Sequence, residues 1–173
     1  MPTQTRRPHP LSPERYHASR PPVSVGAAVL LRNPAGHLLL VKPAHEPPWA
    51  VPGGAVGPGE TPRQAARREV RGEIGLDREP GRLLCVDFVP AAGDRPRPGI
   101  MYLFDGGLLT DTQEAAIRLP ADALTDYRFV PPADLPGHIG GLLLRRVRAG
   151  LAAYGTGVPV DLEDGRPPAG ALP

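Results

Sequence analysis

Residues 54–76 read GAVGPGETPRQAARREVRGEIGL, a glycine-rich loop that runs into a segment with clear helix start and stop signals. Thr61 is a strong N-cap residue, Pro62 suits the first helical position, and Gln64 completes a capping box with Thr61. Gly75 supplies the C-terminal stop. Between these ends Ala66, Val70 and Ile74 recur every four residues as an apolar stripe, with Ala65, Glu69 and Glu73 on the stripe beside it. Side chains at i and i+4 lie one above the other, so the carboxylates of Glu69 and Glu73 can reach one hard divalent cation. Like charges in that relation destabilise an isolated helix by roughly 0.2–0.5 kcal/mol, so the pair calls for a cation or for arginine neighbours. Arg63, Arg67, Arg68 and Arg71 are close in sequence, and taken alone the glutamates favour the plainer alternative of a solvated charged face.

The segment as a whole resembles the Nudix box, G-x5-E-x7-R-E-U-x-E-E-x-G-U, where U is aliphatic. Gly54, Glu60, Arg68, Glu69, Val70, Glu73, Gly75 and Leu76 all fall in register. So many typed positions at fixed spacing make a far more specific signal than a lone glycine-rich triplet. One position departs: the first Glu of the E-E pair is Gly72. The resemblance implies a Nudix-fold α/β/α sandwich with a mixed sheet. It also implies Glu69, Glu73 and the backbone carbonyl of Gly53 as ligands of Mg2+ or Mn2+, with Arg68 and Glu60 paired to brace the loop and Gly54 against the substrate. A missing carboxylate at 72 implies weaker or fewer metal ions, and a glycine in the last helical turn costs roughly 1 kcal/mol relative to Ala.

The chemistry implied by that resemblance is attack of water on a diphosphate linkage in a nucleoside diphosphate derivative or related small molecule. Either Glu69 or Glu73 could act as base as well as ligand. Members of the family commonly use a further Glu from a later loop, but LPADALTDYRFV offers only Asp122 and Asp126, and Ala123 stands where that Glu is expected. The alternative is a Nudix-fold nucleotide-binding module whose catalysis is weakened or lost. A third, isomerase-type function would want Cys85 exposed in a pocket.

At 173 residues the chain is long enough for one domain with a real core and no staples. A net charge of +2 is too small to argue for nucleic acid as a partner. Lys42 is the sole lysine; it ends a strand directed toward the box and is an even candidate for a phosphate point charge or a plain surface residue. Trp49 could stack on a nucleobase, although core or rim packing comes first. His45, Glu46, Arg95 and Arg97 sit in loops where substrate could pass and solvent is the plainer neighbour. The single cysteine, Cys85, lies in an apolar run and excludes an intramolecular disulfide. No stretch reaches membrane-spanning length and no secretory signal is visible, so a cytoplasmic protein is expected, with a homodimer open.

Outward from the box, residues 1–21 form a Pro/Arg-rich arm, 22–154 the Nudix domain, and 155–173 a tail in which VPVDL could add a short strand. Ser24–Leu31 and His37–Val41 flank Asn33-Pro34-Ala35-Gly36 as a hairpin. Arg82–Val89, Ile100–Phe104 and Tyr127–Val130 are expected strands, the last as the final core strand, and Ile139–Tyr154 a packing helix. RLLCVDFVP, MYLFDGG and IRLPADALTDYRFVPPADL are similar to a group of actinobacterial Nudix proteins.

Overall fold

The computed structural model describes residues 12–44, 48–93, 95–120 and 122–170. His45 and Glu46 lie outside them. In chain order the elements are α1 (Pro13–Ala18), β1 (Ser24–Arg32), β2 (Leu38–Pro43), β3 (Gly53–Ala55), α2 (Pro62–Ile74), β4 (Leu83–Val89), β5 (Gly99–Leu108), α3 (Asp111–Ala115), β6 (Leu124–Val130), α4 (Gly141–Thr156) and β7 (Val160–Glu163). A 3-10 turn, Pro132–Gly137, leads into α4.

The seven strands form one mixed sheet in the order β6-β2-β1-β5-β4-β7, with β3 paired to β1 off that path. β1 runs parallel to β5, and β4 parallel to β7; the other pairings are antiparallel. β1 explains why two helical layers are needed. Its residues are apolar without alternation, as expected of a strand covered on both faces. Ala27, Val29 and Leu31 pack toward α2 with Ala65, Ala66, Val70 and Ile74, whereas Ala28 and Leu30 pack toward α4 with Val147 and Ala153. β2 divides in the same way, Leu39 and Val41 facing α2, Leu38 and Leu40 facing α4. The result is an α/β/α sandwich. Close approach of α4 is set by Gly150, where a Cβ would stand 2.7 Å from Leu103 Cδ2.

α2 has the expected ends. Thr61 Oγ1 accepts from Gln64 N and Gln64 Oε1 accepts from Thr61 N, while Gly75 at φ 74° donates back to the Arg71 carbonyl. Burying Val70 and Ile74 contributes about 1.5–3 kcal/mol each. The hairpin also forms, with Arg32 opposite Leu38 and Gly36 at φ 78°.

Two expectations need correction. β6 is not the final strand, because β7 adds four residues parallel to β4, with Leu162 buried and its neighbours outward. Residues from 155 onward therefore contribute to the sheet, in the stretch where VPVDL suggested a strand. α3 was not expected, and it is held by a second capping box, Thr110 with Gln113. Among the described residues, no helix is long and apolar enough to cross a membrane.

Candidate functional site

The site assembles where β3 hands the chain to the loop before α2. Gly53 lies against β1 so closely that a Cβ would stand 2.5 Å from the Ala27 carbonyl and 2.6 Å from Ala28 Cα. Only glycine permits that approach. Its N–H donates to Glu73 Oε2 at 2.9 Å, tying the last turn of α2 to β3. Gly54 serves the other glutamate: a Cβ there would fall 2.5 Å from Glu69 Oε1. The bare Cα makes the seat for that carboxylate.

Arg68 organises the loop. Its Nε and Nη2 donate to the two oxygens of Glu60 at 2.7 and 2.9 Å, Nη2 also to the Ala55 carbonyl at 2.9 Å, and Nη1 to Glu69 Oε1 at 2.6 Å. Glu60 Oε2 accepts a further bond from Gly57 N at 2.8 Å. This forked pairing is the geometry for which a guanidinium is suited. The Arg68 guanidinium and the Gly57 N–H hold the Glu60 carboxyl down at about 2. Arg68 itself is shifted upward by Glu60 and Glu69. Burial pushes the Glu73 carboxyl up to about 7; the Gly53 N–H draws it down, and the charge of Glu69 drives it up further.

Glu69 Oε2 and Glu73 Oε1 have no hydrogen-bond partner among the described residues, and neither is sealed from solvent. Two adjacent carboxylates with free oxygens, one raising the pKa of the other, fit a divalent cation. Hard oxygen donors are the set that magnesium or manganese takes, with the remaining positions left to water and phosphate. Among the described residues, no cluster of three or more His, Cys, Asp or Glu side chains is arranged for a metal. That agrees with glycine at 72, which is exposed and whose Cβ position meets nothing within 4 Å.

The other sequence candidates are placed as follows. Lys42 is exposed and Trp49 half-buried; Lys42 Nζ and Arg128 Cζ lie 6.0 and 5.0 Å from the Trp49 ring centroid, and His138 meets its edge at 6.0 Å. Trp49 is partly buried and packs against the α4-side core. Asp126 is taken up by Arg128 at 3.4 Å and by its own chain, with Tyr127 N donating to it, and Asp122 is exposed. Cys85 is fully buried with its thiol pushed up to about 12, which removes the support for an isomerase-type function.

Beside Gly54 and Ala55, on the α4 side of the sheet, opens a cleft of about 350 Å³ whose walls are mostly aliphatic. Neither Lys42 nor Trp49 lines it; Arg95 and Arg146 do. Arg146 was not among the sequence candidates, since nothing local distinguishes it from the other arginines of α4.

A family model described as NUDIX domain matches residues 22–148. The chain is 46% identical over 111 residues to a Bacillus subtilis protein named "Putative 8-oxo-dGTP diphosphatase", covering 64% of this chain and 68% of that one. It is 38% identical over 57 residues to the RNA pyrophosphohydrolase of Pseudomonas fluorescens, which is 33% of this chain and 36% of the relative, so the match spans about a third of that protein's length. The fold is similar to the crystal structure of a MutT protein from Methanosarcina mazei, with a TM-score of 0.62 and 22% identity over 80% of this chain and 96% of that one. With the box in register on a capped helix of an α/β/α sandwich, and with this family model over most of its length, the chain is a member of the Nudix hydrolase family.

Proposed function

We propose that the protein is a hydrolase of the diphosphate linkage in a nucleoside diphosphate derivative or nucleoside triphosphate, dependent on Mg2+ or Mn2+. The observation that carries this is the pair Glu69 and Glu73 on α2, facing β3, each with one oxygen fixed by the protein and one without a partner among the described residues. In this proposal Glu69, Glu73 and the Gly53 carbonyl hold the cation, which when bound neutralises charge on phosphate oxygens and lowers the pKa of water. Arg68 and Glu60 brace the loop so that Gly54 keeps Glu69 in place. Gly54, Lys42 and Trp49 are assigned to substrate, Lys42 as a point charge for phosphate at the rim beside Trp49 and Arg128. The name of the relative that is 46% identical supports a nucleotide as the substrate class. The working unit runs from about residue 22 and includes β7, and a cytoplasmic setting and a homodimer belong to the same proposal.

A second reading, a nucleotide-binding module with weakened catalysis, is favoured by one observation: the open, side-chain-free position at Gly72. The two separate in one assay. The protein is incubated with a panel of nucleoside triphosphates, sugar nucleotides and dinucleotides with Mg2+ or Mn2+, and phosphate release is followed with and without added phosphatase, alongside Glu73→Gln. Metal-dependent release that falls at least 100-fold in the variant supports the hydrolase, in line with the roughly 10²–10³ lost when a single electrostatic group is removed. Nucleotide binding without release, unchanged by the substitution, supports the module.

A further inference from the structure

The cleft beside the box carries chemistry that the glutamates do not account for. Its walls include Val89, Ile100, Met101 and Leu142, and its charged side chains are Arg95 and Arg146; no acidic residue lines it among the described residues. Arg146 is 7% exposed, and it is aimed by a partner. Its Nε and Nη2 both donate to Oδ2 of Asp87, at 2.9 and 2.7 Å, and the fully buried Asp87 uses Oδ1 to accept from Gly165 N at 2.9 Å. Nη1 has no partner among the described residues and yet is not sealed away, because no buried side-chain nitrogen or oxygen lacks a hydrogen bond. Arg146 itself lines the cleft.

Two further features favour negative charge in the same space. Arg95 contributes a cation that has no ion-pair partner among the described residues; its Nε donates to the Pro90 carbonyl at 3.3 Å. Leu142 belongs to the first turn of α4, whose N-cap, Gly140, supplies no side-chain acceptor for the amides there. Such a turn carries partial positive charge. Because Asp87 cancels the charge of Arg146 but leaves one N–H pair free, Arg146 acts as a fixed donor and Arg95 as the net charge.

We propose that this cleft is an anion-receptive subsite, taking a phosphate or carboxylate that the substrate carries on the group beyond its diphosphate, with Arg95 and Arg146 as its readers and Asp87 as a positioning residue. Naming the anion as part of a diphosphate substrate rests on the hydrolase proposal above; the anion site itself does not. The aliphatic walls cover the apolar part of that group. They hold no amide side chain that would read a base edge, so selectivity follows charge more than base identity.

The test is a titration of the 15N-labelled protein with inorganic phosphate in EDTA, which keeps metal away from Glu69 and Glu73. Saturable shifts are expected at the amides of Ile100, Met101 and Leu142 and at Nε–H of Arg95 and Arg146. Loss of one charge-assisted bond in Arg95→Ala should weaken binding about tenfold. Arg95→Glu should abolish it. Both variants sit in a loop and spare the core. Absence of saturable shifts at these positions, or shifts that Arg95→Glu leaves intact, overturns the anion site. For the substrate, UDP-glucuronate is compared with UDP-glucose, and NADPH with NADH. A kcat/KM preference for the member with the added anion that Arg95→Ala removes through KM supports the assignment, and a preference that survives Arg95→Ala overturns it. Failure to hydrolyse any of them counts against the hydrolase proposal and leaves the phosphate titration to decide the site.

Discussion

Gly72→Glu restores the carboxylate that the box lacks, and the structure fixes what it should do. A Cβ at 72 meets nothing within 4 Å, so no clash opposes the side chain. Replacing glycine inside a helix recovers about 0.5–1 kcal/mol of propensity. Against this stand a like charge three residues from Glu69, about 0.2–0.5 kcal/mol, and an anion in the last turn of α2, about 0.3–1 kcal/mol. Arg68, four residues back, returns a few tenths. The terms cancel to within about 0.5 kcal/mol, which for a domain of this size is about 1–2 °C in Tm. Metal binding should not be neutral. A carboxylate on the same helical surface, about 5 Å from a divalent ion in a water-exposed site, adds roughly 1.5–2 kcal/mol of attraction, or on the order of tenfold in Kd. Calorimetric titration with Mn2+ and thermal melts in EDTA read both quantities. A variant that keeps its Tm in EDTA and leaves the Mn2+ affinity unchanged would refute the placement of Gly72 beside the cation, and with it the account of weakened metal binding.

Glu73 makes the metal-free protein pH-dependent. Its folded pKa, about 7, lies above the ordinary carboxylate value of 4.5, so the stability linked to its proton is fully present below pH 4.5 and is lost as pH rises through 7. Melts in EDTA should therefore fall by several degrees between pH 5 and pH 8, about 2–3 kcal/mol at most, and Glu73→Gln should flatten this dependence and raise the Tm at pH 8. Equal pH profiles for the two proteins would contradict the buried environment of Glu73. Gly54→Ala should push the Glu69 carboxylate off its seat, lowering Mn2+ affinity and turnover tenfold or more with little change in Tm, since the displaced atoms are the tip of one side chain. Unchanged metal affinity would show that Glu69 does not need that seat. Asp87→Ala leaves the buried guanidinium of Arg146 and the Gly165 N–H without their acceptor, and denaturant unfolding should show a loss of about 3–5 kcal/mol. A loss below 1 kcal/mol would mean that the pair is replaced by water at little cost.

The residues that act through local geometry were legible in the sequence. Thr61, Gln64 and Gly75 determine where α2 begins and ends within a few residues of themselves, and the four-residue spacing of Glu69 and Glu73 fixes their common face. The doubly covered β1 is legible for a similar reason, because an apolar run without alternation has only one comfortable place in a sheet. What was missed depends on partners distant in the chain. Asp87 and Arg146 meet 59 residues apart, and the cleft that Arg146 lines draws on β1, β3, β4, β5, α4 and the loop between β4 and β5. β7 was signalled only as the short strand that VPVDL could add, since four residues with two inward side chains give little pattern beside the proline and glycine around them. α3 had a local signal, Thr110 followed three residues later by Gln113, which its short length and polar sequence concealed. Gly53 and Gly54 read as loop glycines, while their sites show a closer constraint, one against the backbone of β1 and the other against the carboxylate of Glu69.

The claim on which the rest depends is that Glu69 and Glu73 together hold one divalent cation. Electron paramagnetic resonance of free Mn2+, titrated into the wild-type protein and into Glu69→Gln and Glu73→Gln, measures it without a substrate. Saturable Mn2+ uptake by the wild type that each single substitution weakens by at least tenfold is the predicted result. Uptake that is the same in all three proteins would contradict it.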